Sequence, residues 1–268
     1  MTASHAMAQS DEADRVAARP RQVEFLGLPF SVLPPADAVR QVIERAGGSY
    51  CYVVTPNAHH VVTVHGEPER LFPIYRGAWL SLCDSRIVQA LARFERLSLP
   101  LVTGSDLVAD LLAKLNADTG PTPRLLVVGP PHHAGAKLRA AYPRLAFEML
   151  PAPAALAHNA DLRLAVARAC MQRQWDIALL CVGCPAQELI AWQLEELGRK
   201  TGIALCVGAA IDFLTGARRR APLWLRRLSL EWAYRLAQDP GRLWHRYFVA
   251  SPKIFRIFMT ARAARSKR

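Results

Sequence analysis

Seven apolar runs of strand length alternate along the chain with segments of helical periodicity, and this alternation is the strongest constraint on the fold. Continuous apolar strands separated by amphipathic helices indicate βαβ units and a parallel sheet covered by helices on both faces. We therefore predict an α/β fold whose ligands bind at the carboxyl ends of the strands. The predicted strands are 22–28, 50–55, 79–83, 124–129, 145–150, 176–182 and 203–208, and the predicted helices are 36–46, 58–65, 86–96, 105–117, 133–142, 159–173 and 186–200.

Polar residues stand at the ends of two predicted strands. Asp84 directly follows the run WLSLC, while Thr55 ends the run YCYVVT and Asn57 follows it. A carboxylate at this edge could take a proton from a hydroxyl nucleophile, and Thr55 and Asn57 could hydrogen-bond a sugar or a diphosphate. The alternative for all three is a local structural role, in which their side chains cap a helix or stabilise a turn, as these residue types commonly do.

Glycines end two other strands just before a helix, in the sequences GPPHHAG and VGCPAQE. Backbone N–H groups at such positions can receive a phosphate without obstruction by a side chain. Neither sequence is a GxGxxG or GxxxxGK[ST] motif, so each is weak evidence alone. The candidate substrate contacts in these loops, and in the later loop GAAID, are Gly129, Gly183, Pro185, Gln187, Glu188 and Asp212.

The six cysteines favour buried free thiols over a disulfide framework, because most lie inside apolar strand-like runs. Cys181 and Cys184 form a lone CxxC. Zinc would need a second cysteine pair or histidines at matching spacing, and neither appears in the sequence. A redox pair would need an exposed thiol at a helix start, whereas Cys181 lies inside an apolar predicted strand. We therefore expect no metal and no other cofactor.

Positive charge is concentrated near the C-terminus. Residues 210–268 hold 14 Lys/Arg and 3 Asp/Glu, whereas residues 1–209 hold 20 and 19. This asymmetry points to a polyanionic partner, either nucleic acid or anionic lipid. We divide the chain into a disordered tail (1–20) without the apolar core of a signal peptide, an α/β core (21–209) and a basic amphipathic appendage (210–268).

The stretch 218–248 of the appendage contains eight arginines and three tryptophans. Its tryptophans and leucines share one broad helical face, as expected at a lipid interface. Packing of that face on the core and binding of nucleic acid are the alternatives, although no known nucleic-acid motif appears. Residues 252–268 add Phe255 and Phe258 to the apolar surface. The predicted membrane contacts are Trp224, Arg226, Arg227, Trp232, Arg242, Trp244 and Arg246.

Several stretches together resemble one family, the WecG/TagA/CpsF-type bacterial glycosyltransferases. The resemblance spans roughly residues 22–250 in the expected order, and the set is more specific than any one motif. The matching stretches are VVTPNAHHVV, the strand end at Asp84, VTGSDLV, LLVVGPPHHAG, VGCPAQE and FLTGARRRAPLWLRRLSLEWAYRL.

The resemblance implies a Rossmann-like core of the kind called GT-E and a C-terminal appendage that contacts the membrane and helps complete the active site. It implies inverting transfer, without a bound metal, from a UDP-sugar to a polyprenyl-pyrophosphate-linked sugar. Asp84 falls on the family's proposed base, and Arg220 and Arg235 fall on arginines of the appendage motif. Thr55, Asn57 and Gln187 fall on polar positions of the active site.

Two positions depart from the family pattern: Ser85 replaces a glycine after the aspartate, and Leu101 replaces an arginine. Arg96 or an arginine of the appendage is the expected substitute. We expect a peripheral enzyme at the cytoplasmic face of the inner membrane that extends a lipid-linked saccharide for an exopolysaccharide, surface antigen or wall polymer. A homo-oligomer stays open as a further partner. The alternative function is a nonenzymatic basic adaptor that binds anionic lipid or nucleic acid.

Overall fold

The computed structural model describes residues 19–153, 155–218, 222, 225, 231–238, 240–241 and 252–266. Within these residues the strands are β1 (Gln22–Phe25), β2 (Leu28–Ser31), β3 (Cys51–Val54), β4 (Leu80–Ser81), β5 (Leu125–Gly129), β6 (Phe147–Pro151), β7 (Ile177–Leu180) and β8 (Ile203–Cys206). The helices are α1 (Pro35–Arg45), α2 (Ala58–Gly66), α3 (Pro68–Gly77), α4 (Arg86–Phe94), α5 (Gly104–Ala117), α6 (His133–Ala141), α7 (Ala160–Met171), α8 (Ala186–Glu196), α9 (Ala210–Leu214), α10 (Glu231–Gln238) and α11 (Lys253–Ser266).

Six strands form one parallel sheet in the order β4-β3-β8-β7-β5-β6. Every adjacent pair is parallel, and at the centre Val54 pairs with Cys206 and Leu180 pairs with the same residue from the other side. The predicted α/β fold with a parallel sheet is thus confirmed. No helix among the described residues is long and apolar enough to cross a membrane.

Helices cover both faces of the sheet, which explains why its strands are apolar on both sides. One face, with Val54 and Leu180, packs against α2, α3, α4, α7 and α8. The opposite face, with Val53 and Leu179, packs against α1, α5, α6 and α9. Because α6 and α8 lie on opposite faces, the connections that leave β5 and β7 diverge. The carboxyl ends of these two neighbouring strands therefore flank a crevice of the kind that binds ligands in such sheets.

The predicted strand 22–28 is wrong, because the chain reverses direction inside it. β1 and β2 form a separate antiparallel hairpin around Leu26 and Gly27, whose φ angles are 52° and 76°. Positive φ at both central residues is the geometry of the tight hairpin turn that matches strand twist. Only the glycine gave a signal for it, since leucine seldom adopts such a conformation.

The C-terminal helix α11 packs on the core. Ile254 and Phe258 are buried, and the ring of Phe258 meets Phe25 and Phe94 edge to face with centroids 6.3 and 5.9 Å away. The prediction that Phe258 belongs to an exposed apolar surface is therefore wrong, whereas Phe255 is exposed. The described end of the appendage thus packs on the core, while most of 218–248, for which packing was the alternative, lies outside the described residues.

Most of the predicted appendage contacts lie outside the described residues, as do residues 1–18. Trp232 and Arg235 belong to α10, and the contacts predicted for their side chains stay predictions. The others outside the described residues are Arg220, Trp224, Arg226, Arg227, Arg242, Trp244 and Arg246.

Candidate active site

Asp84 lies beside the loop that follows β3. Its backbone N–H donates to the carbonyl of Pro56 at 3.1 Å, so the ends of β3 and β4 are joined at the carboxyl edge of the sheet. The hydroxyl of Ser85 accepts the N–H of Val88 at 3.2 Å and is the cap of α4. The alternative interpretation of Asp84 as that cap is therefore wrong. Asp84 is half-buried, and its role as a base stays a prediction.

Thr55 joins the end of β3 to the end of β8. Its buried hydroxyl donates to the carbonyl of Cys206 at 2.8 Å. A side chain at Gly104, the first residue of α5, would come within 3.2 Å of this hydroxyl and 3.3 Å of the Val207 backbone. Glycine at this position thus lets the start of α5 approach the two strand ends. This arrangement places Thr55 at the same edge as Asp84.

Asn57 caps α2, so the capping interpretation of this residue is confirmed. Its side-chain oxygen accepts the backbone N–H groups of His59 and His60 at 3.0 and 3.4 Å. In return, the backbone N–H of Asn57 donates to Nδ1 of His60 at 2.9 Å. This reciprocal cap fixes the loop between Thr55 and α2. Contact of Asn57 with a ligand stays a prediction.

The glycine loops flank the crevice between β5 and β7. Gly129 and Gly183 have φ angles of 122° and 81°, and a side chain at Gly129 would come within 2.8 Å of the Cys181 carbonyl. Pro185, after a cis peptide bond, precedes α8. Neither α6 nor α8 has a side-chain hydrogen bond at its N-cap. The N–H groups of Ala134 and Gly135 in α6 and of Gln187 in α8 already donate to backbone carbonyls. Contact of the remaining first N–H groups with an anionic ligand stays a prediction.

Gln187 and Glu188 are both buried. Nε2 of Gln187 donates to Oε1 of Glu188 at 2.8 Å, and Oε1 of Gln187 accepts the backbone N–H of Gly208 at 2.9 Å. Glu188 Oε1 also lies 3.9 Å from Nε2 of His60. The contact between Glu188 and His60 was not predicted from the sequence. His60 forms a local capping box with Asn57, and that motif carries no information about Glu188, which is 128 positions further along the chain. Direct contact of Gln187 or Glu188 with substrate stays a prediction.

Asp212 lies on α9 near the end of β7. Its carboxylate pairs with the Arg218 guanidinium at 3.1 Å, and its charge helps to raise the pKa of the Cys181 thiol. Lys137 of α6 donates to the carbonyl of Thr215, just after α9, at 2.9 Å. Two cationic side chains, Arg218 and Lys137, are thereby held in this region.

The cysteines are free thiols, as predicted. Burial raises the pKa of the Cys181 thiol to about 12. A thiol with so high a pKa is almost entirely protonated at neutral pH, and a protonated thiol is a poor nucleophile. Cys181 is therefore not an activated thiol of the kind that a redox pair needs.

The position of Leu101 is adjacent to Asp84, because Leu101 forms a parallel bridge with Cys83. Arg96 lies beyond the far end of α4, which begins two residues after Asp84. It is exposed and lines a cavity of about 340 Å³ with Arg93 and residues 97–100. The length of α4 thus separates Arg96 from Asp84, and an arginine of the appendage is the better candidate to replace the family arginine.

The buried Glu188 carboxyl makes a testable contribution to stability. Burial raises its pKa to about 7, from an ordinary value of 4.5, against hydrogen bonds from Gln187 and Cys184 that lower it. The folded protein therefore binds the Glu188 proton more tightly than the unfolded chain does. The protonated carboxyl contributes its full stabilisation to the folded state below pH 4.5, and this contribution is lost as the pH rises through 7. We expect Glu188→Gln to reduce the fall in unfolding free energy between pH 4.5 and pH 8 by up to about 3 kcal/mol.

Urea unfolding of both proteins across this range measures the effect. Glu196→Gln, at an exposed position of the same helix, is the control and should keep the wild-type pH dependence. Equal pH dependence in Glu188→Gln and wild type would show that Glu188 titrates in the folded protein as it does in the unfolded chain.

Comparison with known proteins finds a matching family and curated relatives. The model of the family described as "Glycosyl transferase WecG/TagA/CpsF family" matches residues 23–268. A curated relative from Bacillus subtilis (strain 168), named N-acetylglucosaminyldiphosphoundecaprenol N-acetyl-beta-D-mannosaminyltransferase, is 34% identical over 84 residues. The match covers 31% of this chain and 32% of that protein.

A protein of the same name from Bacillus spizizenii (strain ATCC 23059 / NRRL B-14472 / W23) is 34% identical over 71 residues. That match covers 26% of this chain and 27% of the relative. The chain thus spans about a third or less of the length of the curated relatives it matches. The family match, in contrast, extends over the sheet, the candidate site and the appendage.

Proposed function

This chain belongs to the WecG/TagA/CpsF family of glycosyl transferases, and from this premise we propose that it transfers a sugar from a UDP-sugar to a polyprenyl-diphosphate-linked sugar. The observation that carries the proposal is the position of Asp84 at the carboxyl edge of the sheet, hydrogen-bonded through its backbone to the loop after β3. Catalytic groups of parallel α/β sheets belong at this edge.

The names of the curated relatives supply the substrate classes. Both are named for an N-acetylmannosaminyl group that is transferred and for an N-acetylglucosaminyl-diphospho-undecaprenol that receives it. We propose the same acceptor class here, together with a UDP-linked hexose or N-acetylhexosamine as the donor. The product is then a lipid-linked disaccharide for a surface polysaccharide or wall polymer.

The proposed reaction is a single displacement with inversion. The Asp84 carboxylate removes the proton of an acceptor hydroxyl, whose oxygen attacks the anomeric carbon of the donor. The bond from that carbon to UDP breaks on the opposite face, and UDP leaves with the bonding electrons. Backbone N–H groups at the starts of α6 and α8, and arginines of the appendage such as Arg220 and Arg235, stabilise its charge without a metal.

An exposed apolar surface supports a further part of the proposal, docking on an anionic membrane. Its exposed members are Ile87 and Phe94 on α4 and Phe255 and Met259 on α11, each with 41–62% of its residue surface exposed. Phe94 touches α11 through Phe258, 5.9 Å between ring centroids. The Arg262 guanidinium lies 4.7 Å from the centre of the Phe94 ring. We call these four residues, with Arg262, the α4–α11 surface.

Basic residues accompany the α4–α11 surface. On α4 the apolar residues 87, 91 and 94 share one stripe, with Arg86 and Arg93 beside it, and α11 adds Lys253 and Arg256. Apolar insertion combined with basic side chains is the chemistry that binds an anionic bilayer. Because α4 begins two residues after Asp84, docking of this surface would bring Asp84 to the interface where the acceptor diphosphate emerges. We accordingly place the enzyme at the cytoplasmic face of the plasma membrane.

A panel of UDP-sugars, assayed for UDP release with a short-chain lipid-diphosphate N-acetylglucosamine acceptor, tests the proposal. We expect at least one donor to support release that depends on the acceptor and is unchanged by EDTA. UDP alone should raise the thermal unfolding midpoint with saturation, because it binds the folded state. A nonenzymatic adaptor would give neither result, and abolition of transfer by EDTA would contradict the metal-independent mechanism.

A further inference from the structure

A buried polar cluster lies under the candidate active site, and its centre is the Glu188 carboxylate. Besides Gln187, this carboxylate faces His60 on α2 and the thiol of Cys184, with ligand atoms of all three titratable residues within 4.8 Å of one another. Tyr75 on α3 reaches the cluster through its hydroxyl, 3.7 Å from Sγ of Cys184. A buried carboxylate is costly unless neighbouring donors compensate it. The burial of the Glu188 carboxylate in an otherwise apolar layer therefore needs a structural or functional explanation.

The cluster connects two loops of the site. On one side, Gln187 links Glu188 to the backbone N–H of Gly208, in the loop after β8. On the other side, His60 lies 3.9 Å from Glu188 and accepts the backbone N–H of Asn57, in the loop after β3. The first link is two hydrogen bonds, and the second is a hydrogen bond followed by an electrostatic contact. The Glu188 carboxylate thus contacts both Gln187, which is bonded to the loop after β8, and His60, which is bonded to the loop after β3.

The hydrogen bond from Asn57 determines the tautomer of the neutral His60 ring. A backbone N–H can only donate, so Nδ1 of His60 must accept and the neutral ring carries its proton on Nε2. The Nε2–H group faces Glu188. A metal at this position would need a deprotonated Nε2, so the cap disfavours a metal site despite the short distances among the three residues.

We propose that Glu188 is a positioning residue of this site: its carboxylate holds the Gln187 amide against Gly208 and the His60 ring against Asn57, and thereby fixes the loops after β3 and β8 for transfer. The proposal rests on the proposed transferase function. Glu188 acts through these neighbours, since it is fully buried, and Asp84 keeps the role of base.

Protonation of Glu188 should weaken this arrangement. The carboxylate faces the Gln187 amide, the His60 Nε2–H and the Cys184 thiol, with Oε1 accepting from Gln187 and Oε2 buried without a hydrogen-bond partner among the described residues. Protonation removes the negative charge that attracts these donors, and a hydrogen bond to a neutral acceptor is weaker than one to a charged acceptor. Within the part of the chain that the structure describes, the other titratable groups near it are Tyr75 and Cys206, and burial raises the pKa values of both well above their ordinary range. Transfer should therefore increase with pH across neutrality as Glu188 ionises.

The test compares Glu188→Gln with wild type and with Glu196→Gln, the exposed control on α8. In wild type and control, kcat should rise between pH 6 and pH 8. Glu188→Gln should lower kcat about 10- to 100-fold at pH 8, the scale expected for a small misplacement of reacting groups. It should also abolish the rise, while the KM for the donor changes less than about twofold. An unchanged pH profile in Glu188→Gln would overturn the proposal.

Nitrogen NMR of the His60 ring gives a readout that needs neither activity nor a folded variant. Wild type should show the Nε2–H tautomer, with ring shifts that respond to the ionisation of Glu188 near neutral pH. An Nδ1–H tautomer, or stoichiometric zinc on the purified protein, would overturn the proposal. If no donor and acceptor pair supports transfer while the NMR result is as expected, the proposed function fails and the contact between Glu188 and His60 stands.

Discussion

Asp84→Asn is expected to lower turnover at least about 100-fold, the low end of the effect of losing a general base. The amide keeps the size of the carboxylate but cannot accept the acceptor's proton. The hydrogen bond that places residue 84 beside Pro56 uses the backbone N–H, and Ser85 supplies the cap of α4. Folding and UDP binding should therefore be preserved, as measured by thermal unfolding with and without UDP.

Asp110→Asn, at an exposed position of α5, is the matched control and should retain full turnover. Both variants lose one negative charge, so a general electrostatic effect would lower both rates. Turnover of Asp84→Asn within a few-fold of wild type would remove Asp84 from the mechanism and leave another group as the base.

The sheet was predictable because its strands are buried on both faces. Runs such as residues 125–129 and 177–180 are uniformly apolar, and this pattern has few interpretations other than a central parallel strand. The order of the strands was not predicted, but the rule that ligands bind at carboxyl ends does not depend on order. It was therefore sufficient to place Asp84 and Thr55 at one edge.

Local exceptions to propensity account for the errors. The hairpin required a positive φ at Leu26, which the residue type argues against. Helix α3 was not predicted; it contains Pro73, which normally argues against a helix interior. The partners of Glu188 were also invisible, since they depend on how α2 packs beside α8.

The α4–α11 surface shows a different limit of prediction from sequence. Residues 87, 91 and 94 have the spacing of an apolar stripe on one face of α4, and residues 88 and 92 lie on a neighbouring face. In the structure Val88 and Ala92 are buried, whereas Ile87 and Phe94 are exposed. Which of two neighbouring stripes faces the core is decided by tertiary packing, and Phe255 and Phe258 on α11 divide in the same way.

Ile87→Glu/Phe94→Glu is expected to reduce binding to vesicles of phosphatidylglycerol and phosphatidylethanolamine at least about tenfold in high salt. Salt near 1 M shortens the screening length to about 3 Å and suppresses the attraction of the basic appendage. The remaining affinity comes from apolar insertion, where about 1.4 kcal/mol corresponds to a factor of ten. Full burial of one Ile or Phe side chain is worth about 1.5–3 kcal/mol, so partial insertion of two is sufficient. Co-sedimentation measures the effect.

Ala113→Glu/Ala117→Glu on α5 is the control, because it adds the same charge at exposed positions on the opposite face of the sheet. It should bind vesicles as wild type does. Ile87→Glu/Phe94→Glu should also transfer poorly to a long-chain acceptor in vesicles yet normally to a short-chain soluble one, since docking and not chemistry is impaired. Equal vesicle binding by the two variants would show that the α4–α11 surface does not meet the membrane, and equal loss with both acceptors would place the defect in the active site.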